Sequence, residues 1–332
     1  MYLKQLVEQL KVEFNSSSTD PEQRIDHALH QLIPHSLEVP YPGEGQTLKR
    51  WQILSQVAAI DLSLAKLYES HLDVLAILHE LHADPEQIVG LTAIWAAEGG
   101  PKPLQLENGL LSGIKPWCSA AGQVQQALLT YRDEEEHSQL LLVDMTQDGI
   151  QINTSAWHAV GMQHTRTAEV SFTQVKAKII SKPDYYLDRH GFWHGAAGVA
   201  ACWFGATLKL AGYLKHAMHH KTNPFREMYL GEVSSKLYAT RALFHETAKL
   251  IDADPRYNYE LIIRALRAQV EDTALAVLEL CGKALGAAPY CQQADFARCV
   301  ADLPVFIRQS HAAFDLQCIG QLTMEDEQTW AL

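Results

Sequence analysis

Apolar positions follow a helical period at both ends of the chain and a strand-like pattern in its middle. Near the N-terminus, one stripe recurs on a single helical face. Its members are Leu64, Leu67, His71, Val74 and Leu78. A second stripe, near the C-terminus, has the spacing of a bundle helix. Its members are Ile262, Leu266, Val270, Val277 and Cys281. This order of helices, strands and helices predicts an α+β fold.

The N-terminal part is predicted to consist of helices. Residues 1–36 form one or two amphipathic helices, and Asp20, followed by proline, is a predicted N-cap. After a loop rich in proline and glycine, a long helical region starts at Thr47. Asp61 or Ser63 restarts this region as a second helix, because short polar side chains favour the N-cap position.

The middle part is predicted to be a small, mostly antiparallel β domain. The glycines and prolines that follow Glu98 do not fit a helix interior. Five short apolar runs come next, Leu110–Trp117, Ala127–Tyr131, Leu140–Met145, Ile150–Asn153 and Ala168–Val175. Asp148-Gly149 separates two of these runs and predicts a hairpin there.

The C-terminal part is predicted to be a bundle of four long helices. They lie near residues 191–220, 225–252, 256–286 and 295–322. The predicted division of the chain is an N-terminal helical domain (1–92), a middle β domain (93–184) and a C-terminal four-helix bundle (185–332).

Composition narrows the function classes. The 332 residues include 27 basic and 39 acidic ones, for a formal net charge of −12 without a basic stripe. Nucleic acid and membrane are therefore excluded as partners. The most apolar segment, Gly195–Gly212, contains Lys209 and is predicted to be a buried helix. The six cysteines form no CxxC pair and are predicted to be reduced, and together with the absence of a signal-peptide pattern this favours the cytoplasm.

The most specific local string is Ser112–Ser119, at the predicted end of a strand. On a regular strand, residues i and i+2 share a face, so Trp117 and Ser119 would contact one ligand together. The alternative is a core tryptophan beside a turn serine. His216, His219 and His220 have metal-ligand spacing, but placement of imidazole at a helix C-terminus explains them better, so no metal is predicted.

Several strings resemble motifs of the acyl-CoA dehydrogenase family across roughly residues 50–320. They are Ile94–Glu98, Leu111–Ser119, Gly161-Met162 with Val170–Phe172, and Leu278–Gly282. The resemblance implies a flavin-dependent oxidoreductase that binds FAD and acts on a small molecule or an acyl thioester. It also implies a homodimer or homotetramer, because the family usually shares its FAD site between subunits.

By this resemblance, Trp117 and Ser119 would contact the isoalloxazine. Residues Glu279 to Gly282 would approach FAD from a neighbouring subunit. The implied cofactor-binding residues are Trp95, Ala97, Trp117, Ser119, Phe225, Glu279, Leu280 and Gly282. The chain also departs from the family. Ala97 replaces a flavin-bonding threonine, and the Gly-Ser-Asp loop is absent. Thr222 replaces the arginine that grips the pyrophosphate, with Lys221 as a substitute. These changes predict weak or reversible FAD binding, with FMN as an alternative.

The usual catalytic glutamate is missing, because no glutamate occurs between Glu279 and Glu325. Arg308, His311 and Asp315 are predicted to share one face of the last helix. His71 and His311 resemble the histidines that flavin-dependent monooxygenases of this fold use, with a reductase partner, to move a proton. Two alternatives to a dehydrogenase therefore stay open, namely such a monooxygenase and a non-catalytic scaffold that binds a partner. Arg298 and Asp302 are predicted to form a structural ion pair.

Overall fold

A computed structural model describes residues 2–16, 20–83, 88, 90–100, 102–220, 222–326 and 330. The chain groups into two compact units. The first unit comprises Met1–Val39, Lys66–Ala159 and Gln163–Phe192. The second comprises Pro40–Ala65, Val160–Met162 and Trp193–Leu332. The division into three domains at residues 92 and 184 stays a prediction.

The N-terminal helices match the predicted order. They are α1 (Tyr2–Ser16), α2 (Pro21–Leu32), α3 (Thr47–Ile60) and α4 (Leu62–Glu80), with a 3₁₀ turn at Ile33–Glu38. The carboxylate of Asp20 accepts the N–H of Glu22 at 3.0 Å, which confirms the predicted N-cap. Asp61 likewise accepts the N–H of Leu64 at 3.0 Å, so α4 restarts where the sequence predicts.

A seven-stranded sheet forms the β part of the first unit. Its strands are β1 (Thr92–Trp95), β2 (Gln105–Glu107), β3 (Leu110–Cys118), β4 (Gln126–Arg132), β5 (Ser138–Asp144), β6 (Ile150–Asn153) and β7 (Ala168–Ile179). The order is β1-β4-β5-β7-β3-β2, with β6 paired to β7. β1 and β4 are parallel and the other pairs are antiparallel. The mostly antiparallel domain is therefore confirmed.

The hairpin predicted at Asp148-Gly149 is wrong. β6 pairs with β7 rather than with β5, which precedes it in the chain. β7 is 12 residues long, so its C-terminal end pairs with β5 while its N-terminal half pairs with β6. The carbonyl of Gly149 accepts the N–H of Thr173 at 2.9 Å, and a Cβ at Gly149 would clash with the carbonyl of Thr173. The glycine thus provides a close approach to β7 instead of a hairpin turn.

The C-terminal helices are confirmed except at their end. They are α6 (Gly191–His220), α7 (Pro224–Ala253), α8 (Glu260–Leu285), α9 (Ala288–Gln292), α10 (Ala294–Phe306) and α11 (Ala313–Glu325), and a short α5 (Tyr185–Asp188) precedes them. The single helix predicted over residues 295–322 is wrong. α10 contains Pro304 and ends at Phe306, a 3₁₀ turn at Ile307–Gln309 follows, and Ala312 has φ +44°.

Among the described residues, one helix, α6, is long and apolar enough to cross a membrane. Most of its apolar stretch is buried, which confirms the predicted buried helix. Gly205 explains the close packing in the second unit, because a Cβ there would clash with the backbone of Ser55 on α3. All six cysteines are free, as predicted, and four of them are buried.

Candidate functional site

The end of β3 departs from regular strand geometry at Trp117. The pairing of β3 with β7 shifts register between Lys115 and Cys118, and Trp117 has φ +59°. As a result, 65% of Trp117 is exposed, whereas Ser119 is buried. The prediction that these two residues share a strand face is therefore wrong. The left-handed residue breaks the alternation of side chains and turns the indole away from the sheet.

A second tryptophan fixes the exposed ring of Trp117. The ring centroids of Trp117 and Trp157 are 5.5 Å apart, and their planes are nearly perpendicular at 85°. This edge contact covers one part of the Trp117 ring and leaves much of its surface accessible. The buried Nε1 of Trp157 has no hydrogen-bond partner among the described residues. Trp157 was missed from the sequence because it belongs to no motif.

Ser119 is held by a residue of β1. Its carbonyl accepts the indole N–H of Trp95 at 2.9 Å, and Trp95 is buried. The structure therefore places Trp95 in the core, as a support for Ser119. Ala97 follows the end of β1 and is half-buried.

A buried lysine lies beside this strand end and was also missed from the sequence. Lys115 is 2% exposed, and its Nζ donates to the carbonyl and to the hydroxyl of Thr130. The Glu98 carboxylate lies 3.9 Å from the same Nζ. Burial lowers the pKa of Lys115, and the charge of Glu98 partly offsets that effect. Lys115, Glu98 and Thr130 line a cavity of about 310 Å³.

His71 is buried between α4 and the start of β1. Its Nδ1 lies 2.9 Å from the hydroxyl of Thr92 and accepts the backbone N–H of Thr92 at 3.3 Å. Burial lowers the pKa of His71 to about 4, so the ring is neutral at pH 7. Because Nδ1 accepts, the proton lies on Nε2. These features suit a hydrogen-bond donor better than a proton acceptor.

His311 lies in the break between α10 and α11 and is exposed. Its backbone N–H donates to the Asp315 carboxylate at 2.9 Å. Arg308, His311 and Asp315 therefore do not share a helical face, because no helix spans all three. Asp315 also forms an ion pair with Arg264 of α8. Arg264 in turn bonds to Glu260 at 2.7 Å and lies over the Trp193 ring at 4.2 Å.

Three residues of α8 hold the segment between α10 and α11. Arg264, Arg267 and Glu271 occur at helical spacing and so share one face. Arg267 donates to the carbonyls of Gln309 at 3.0 Å and of Ala196 at 2.6 Å. Glu271 forms an ion pair with Arg308. No sequence signal identifies this clamp, because its partners are about forty to fifty positions apart.

The ion pair predicted between Arg298 and Asp302 has different partners. Arg298 pairs with Asp61 at 3.1 Å and with Asp295 at 2.7 Å. Asp302 instead accepts the backbone N–H of Met162 at 2.5 Å. Burial raises the pKa of Asp302 to about 7, which outweighs the lowering by this hydrogen bond and by Arg298. Asp302 therefore fixes the Gly161-Met162 string, quoted above as a family motif, to α10.

The remaining cofactor residues implied by the resemblance lie on α7 and α8. Phe225 is 73% exposed, and Glu279 is exposed and pairs with Lys283 at 2.5 Å. Leu280 is buried, so its side chain is not accessible. A Cβ at Gly282 would clash with the hydroxyl of Tyr290. The hydroxyl of Thr222 donates to Glu227 at 3.0 Å, and Lys221 lies outside the described residues.

Comparisons with known proteins give structural but not sequence matches. No protein-family model and no curated protein matches the chain. KijD3 in complex with FMN and dTDP-3-amino-2,3,6-trideoxy-4-keto-3-methyl-D-glucose has a TM-score of 0.78 and 17% identity, covering 99% of this chain and 94% of KijD3. Butyryl-CoA dehydrogenase from Megasphaera elsdenii also has a TM-score of 0.78, with 14% identity, covering 97% and 98% of the two chains.

A third similar structure is TdsC from Paenibacillus sp. A11-2 with FMN and indole. It has a TM-score of 0.72 and 16% identity, covering 97% of this chain and 96% of TdsC. All three alignments span nearly the full length of both chains at low identity, so they establish a shared fold.

Proposed function

Since the chain has the acyl-CoA-dehydrogenase-like fold, we propose that it is a flavin-dependent oxidoreductase. The observation that carries this proposal is the geometry of Trp117. Its indole is turned outward at the end of β3 by a left-handed backbone and is fixed by Trp157. A solvent-exposed aromatic ring gives up the stabilisation that burial in the core would provide. Such a ring at a strand end is a surface on which a planar ligand can stack.

The residues around Trp117 fit a flavin ring. Trp117 offers an aromatic surface, while Ser119 is buried with its carbonyl bonded to Trp95, so its contact with a flavin is proposed from the resemblance alone. When bound, the flavin supplies the redox chemistry, and the protein positions it and shields it from water.

We propose that the flavin is held loosely, as FMN or FAD. The arginine and the Gly-Ser-Asp loop implied by the resemblance are replaced, so little in the sequence grips a pyrophosphate. KijD3 and TdsC both have structures with FMN. Phe225 and Glu279 are exposed and would meet a neighbouring subunit in a homodimer or homotetramer.

Ordinary acyl-CoA dehydrogenation is the less favoured reaction. It needs a carboxylate to accept the α proton, and Asp315 is the carboxylate nearest in sequence to the helix break. Asp315 is occupied by Arg264 and by the N–H of His311. The exposed His311 favours the second candidate, a monooxygenase in which this imidazole moves a proton and a reductase partner supplies reduced flavin. His71, being neutral, would donate a hydrogen bond through Nε2.

A titration with FAD and FMN, each oxidised and reduced, tests the flavin proposal. We expect saturable binding of at least one form, read from the visible absorbance and from quenching of tryptophan fluorescence. Absence of binding by all four forms at millimolar concentration would contradict it and favour the non-catalytic scaffold.

The role of His311 is tested once flavin binds. In the reduced-flavin complex mixed with oxygen, His311→Ala should change the rate or the hydrogen peroxide yield at least about fivefold. His190→Ala, at another exposed histidine, is the control and should behave as wild type. Equal kinetics for wild type and His311→Ala would remove His311 from the proposal.

A further inference from the structure

A cleft in the second unit lies between α3, α6 and α7, and none of the residues discussed above lines it except Ser55, which lies at its α3 edge. Its walls are largely apolar, formed by Trp51, Phe204, Leu208 and Phe244. The cavity volume is about 240 Å³. Trp51 and Phe244 meet edge to face with centroids 5.6 Å apart, so the aromatic wall is ordered by its own contacts.

The wall contains a polar group that the protein leaves unsatisfied. Trp51 is 2% exposed, and its buried Nε1 N–H has no acceptor among the described residues. A buried donor without a partner costs free energy. The cleft is also lined by the polar side chains of Gln52, Ser55 and Gln56, which separates it from a packing defect lined by apolar atoms alone.

The mouth of the cleft favours negative charge. Arg241 and His245 line it, and no acidic residue occurs among the described residues that form it. The Arg241 guanidinium lies 5.1 Å from the ring centroid of Tyr238, which restricts its position at the rim. A planar guanidinium suits a carboxylate, to which it can donate two hydrogen bonds.

We infer that this cleft binds a small carboxylic acid with an apolar body, either one aromatic ring or a short alkyl chain. The volume exceeds the ~150 Å³ cavity that holds benzene and is below the ~300 Å³ at which drug-sized sites begin. The body lies against Phe204 and Phe244, and the carboxylate meets Arg241 at the mouth. The inference is independent of the proposed flavin chemistry, because it uses no residue assigned to that site.

Phenylacetate is a suitable probe, with phenylacetamide and phenylethylammonium as neutral and cationic analogues of similar size. The chain has seven tryptophans, so the indole N–H signals in a ¹H–¹⁵N spectrum are few, and Trp51→Phe assigns the one from Trp51. We expect phenylacetate to shift that signal with a dissociation constant of about 0.1–1 mM. The amide should bind about tenfold more weakly and the amine should not bind measurably.

Two variants locate the site. Arg241→Gln should weaken phenylacetate binding about tenfold and leave phenylacetamide unchanged, because only the charged head group loses its partner. Leu208→Trp, at a residue that is 41% exposed, should fill the cleft and abolish both. Arg256→Gln, whose side chain is 90% exposed, is the matched control and should bind as wild type.

Three results would overturn the inference. Equal binding of the acid and the amide would show that Arg241 does not recognise charge. Unchanged binding in Leu208→Trp would place the probe elsewhere. No binding, together with a shift of the Trp51 signal when the protein is diluted from oligomer to monomer, would show that a second copy of the chain covers the cleft.

Discussion

The strand end at Trp117 and the helix break at His311 are stabilised in opposite ways. Trp117 is mostly exposed and is fixed by one ring contact with Trp157. The helix break is instead held by charged groups of α8, since Arg267 and Glu271 bond to the segment before α11 and Arg264 bonds to Asp315 in its first turn. The ring contact at Trp117 leaves an aromatic surface open to a ligand, whereas the charged groups of α8 hold the backbone of the helix break in place.

This difference separates a retained feature from a replaced one. The strand end keeps the residues on which the family resemblance depends, including the exposed tryptophan. The helix break lacks the glutamate that the resemblance would place there. Its nearest carboxylate, Asp315, is bonded to Arg264 and to the backbone N–H of His311. We therefore propose that the first region contacts the flavin and that the second no longer supplies the carboxylate of an ordinary dehydrogenation.

The largest expected effect comes from the charged region. Arg267→Ala removes two hydrogen bonds from a buried guanidinium to the carbonyls of Ala196 and Gln309 and the contact with the Trp203 ring. The free energy of unfolding should fall by about 2–4 kcal/mol, measured by urea denaturation. Arg256→Ala, at an exposed arginine, should change it by less than about 0.5 kcal/mol. A similar small loss for both variants would mean that the clamp does not stabilise the break.

The pH dependence of stability should identify Asp302 as a buried acid next to this region. Its folded pKa, about 7, is above the unfolded value of 3.8, so the folded state holds the proton more tightly. The stabilisation that protonated Asp302 gives to the folded state is fully present below pH 4. It is lost as pH rises to 7, and the free energy of unfolding falls by no more than about 1.4 kcal/mol per pH unit.

His71 contributes a slope of opposite sign between pH 4 and 6.5, because burial lowers its pKa. The observable for Asp302 is therefore the difference between wild type and Asp302→Asn, measured by denaturation across pH 4–8. The wild type should lose stability relative to the variant as pH rises. A constant difference would show that the pKa of Asp302 is not raised.

A double-mutant cycle sharpens the comparison at His311. Asp315→Asn keeps an acceptor for the N–H of His311 but removes the charge that faces Arg264, and Arg264→Met removes the other partner. Both side chains are largely buried, so we expect a coupling energy of about 1–2 kcal/mol. The same cycle on the exposed pair Glu279 and Lys283 should give less than about 0.5 kcal/mol. Equal values would remove the distinction between clamp and surface pair.

The smallest effect is expected at the exposed tryptophan. Trp117→Gly should be more stable than Trp117→Ala by about 1 kcal/mol, because glycine adopts φ +59° without a Cβ penalty. Thermal denaturation of the two variants measures the difference. If alanine were the more stable residue, the left-handed geometry at this position would be wrong.

The sequence predicted most of the fold because its signals are local. The N-cap at Asp20, the restart at Asp61 and the strand runs depend on neighbouring residues, and the structure confirms them. The failures involve distant partners. The runs Leu140–Met145 and Ile150–Asn153 fit a hairpin by their local pattern, but the long β7 pairs with both β5 and β6. Residues 295–322 have a helical period, which the break after Phe306 interrupts.

The candidate site was predictable only in part for the same reason. The residue type at Trp117 was visible in a motif, but its exposure comes from a shift in register against β7. Trp157 belongs to no motif, and the burial of Lys115, although it lies in the Leu111–Ser119 string, follows from tertiary contacts. The α8 clamp likewise depends on which helix the segment packs against.

The central claim is that Trp117 forms the surface that binds a flavin, and equilibrium flavin titration of three proteins tests it most directly. Wild type and Trp330→Ala, which removes a tryptophan that is 89% exposed, should bind with equal affinity. Trp117→Ala should bind at least about tenfold more weakly while its unfolding curve stays close to that of wild type. Equal affinity of all three proteins for every flavin form would contradict the account.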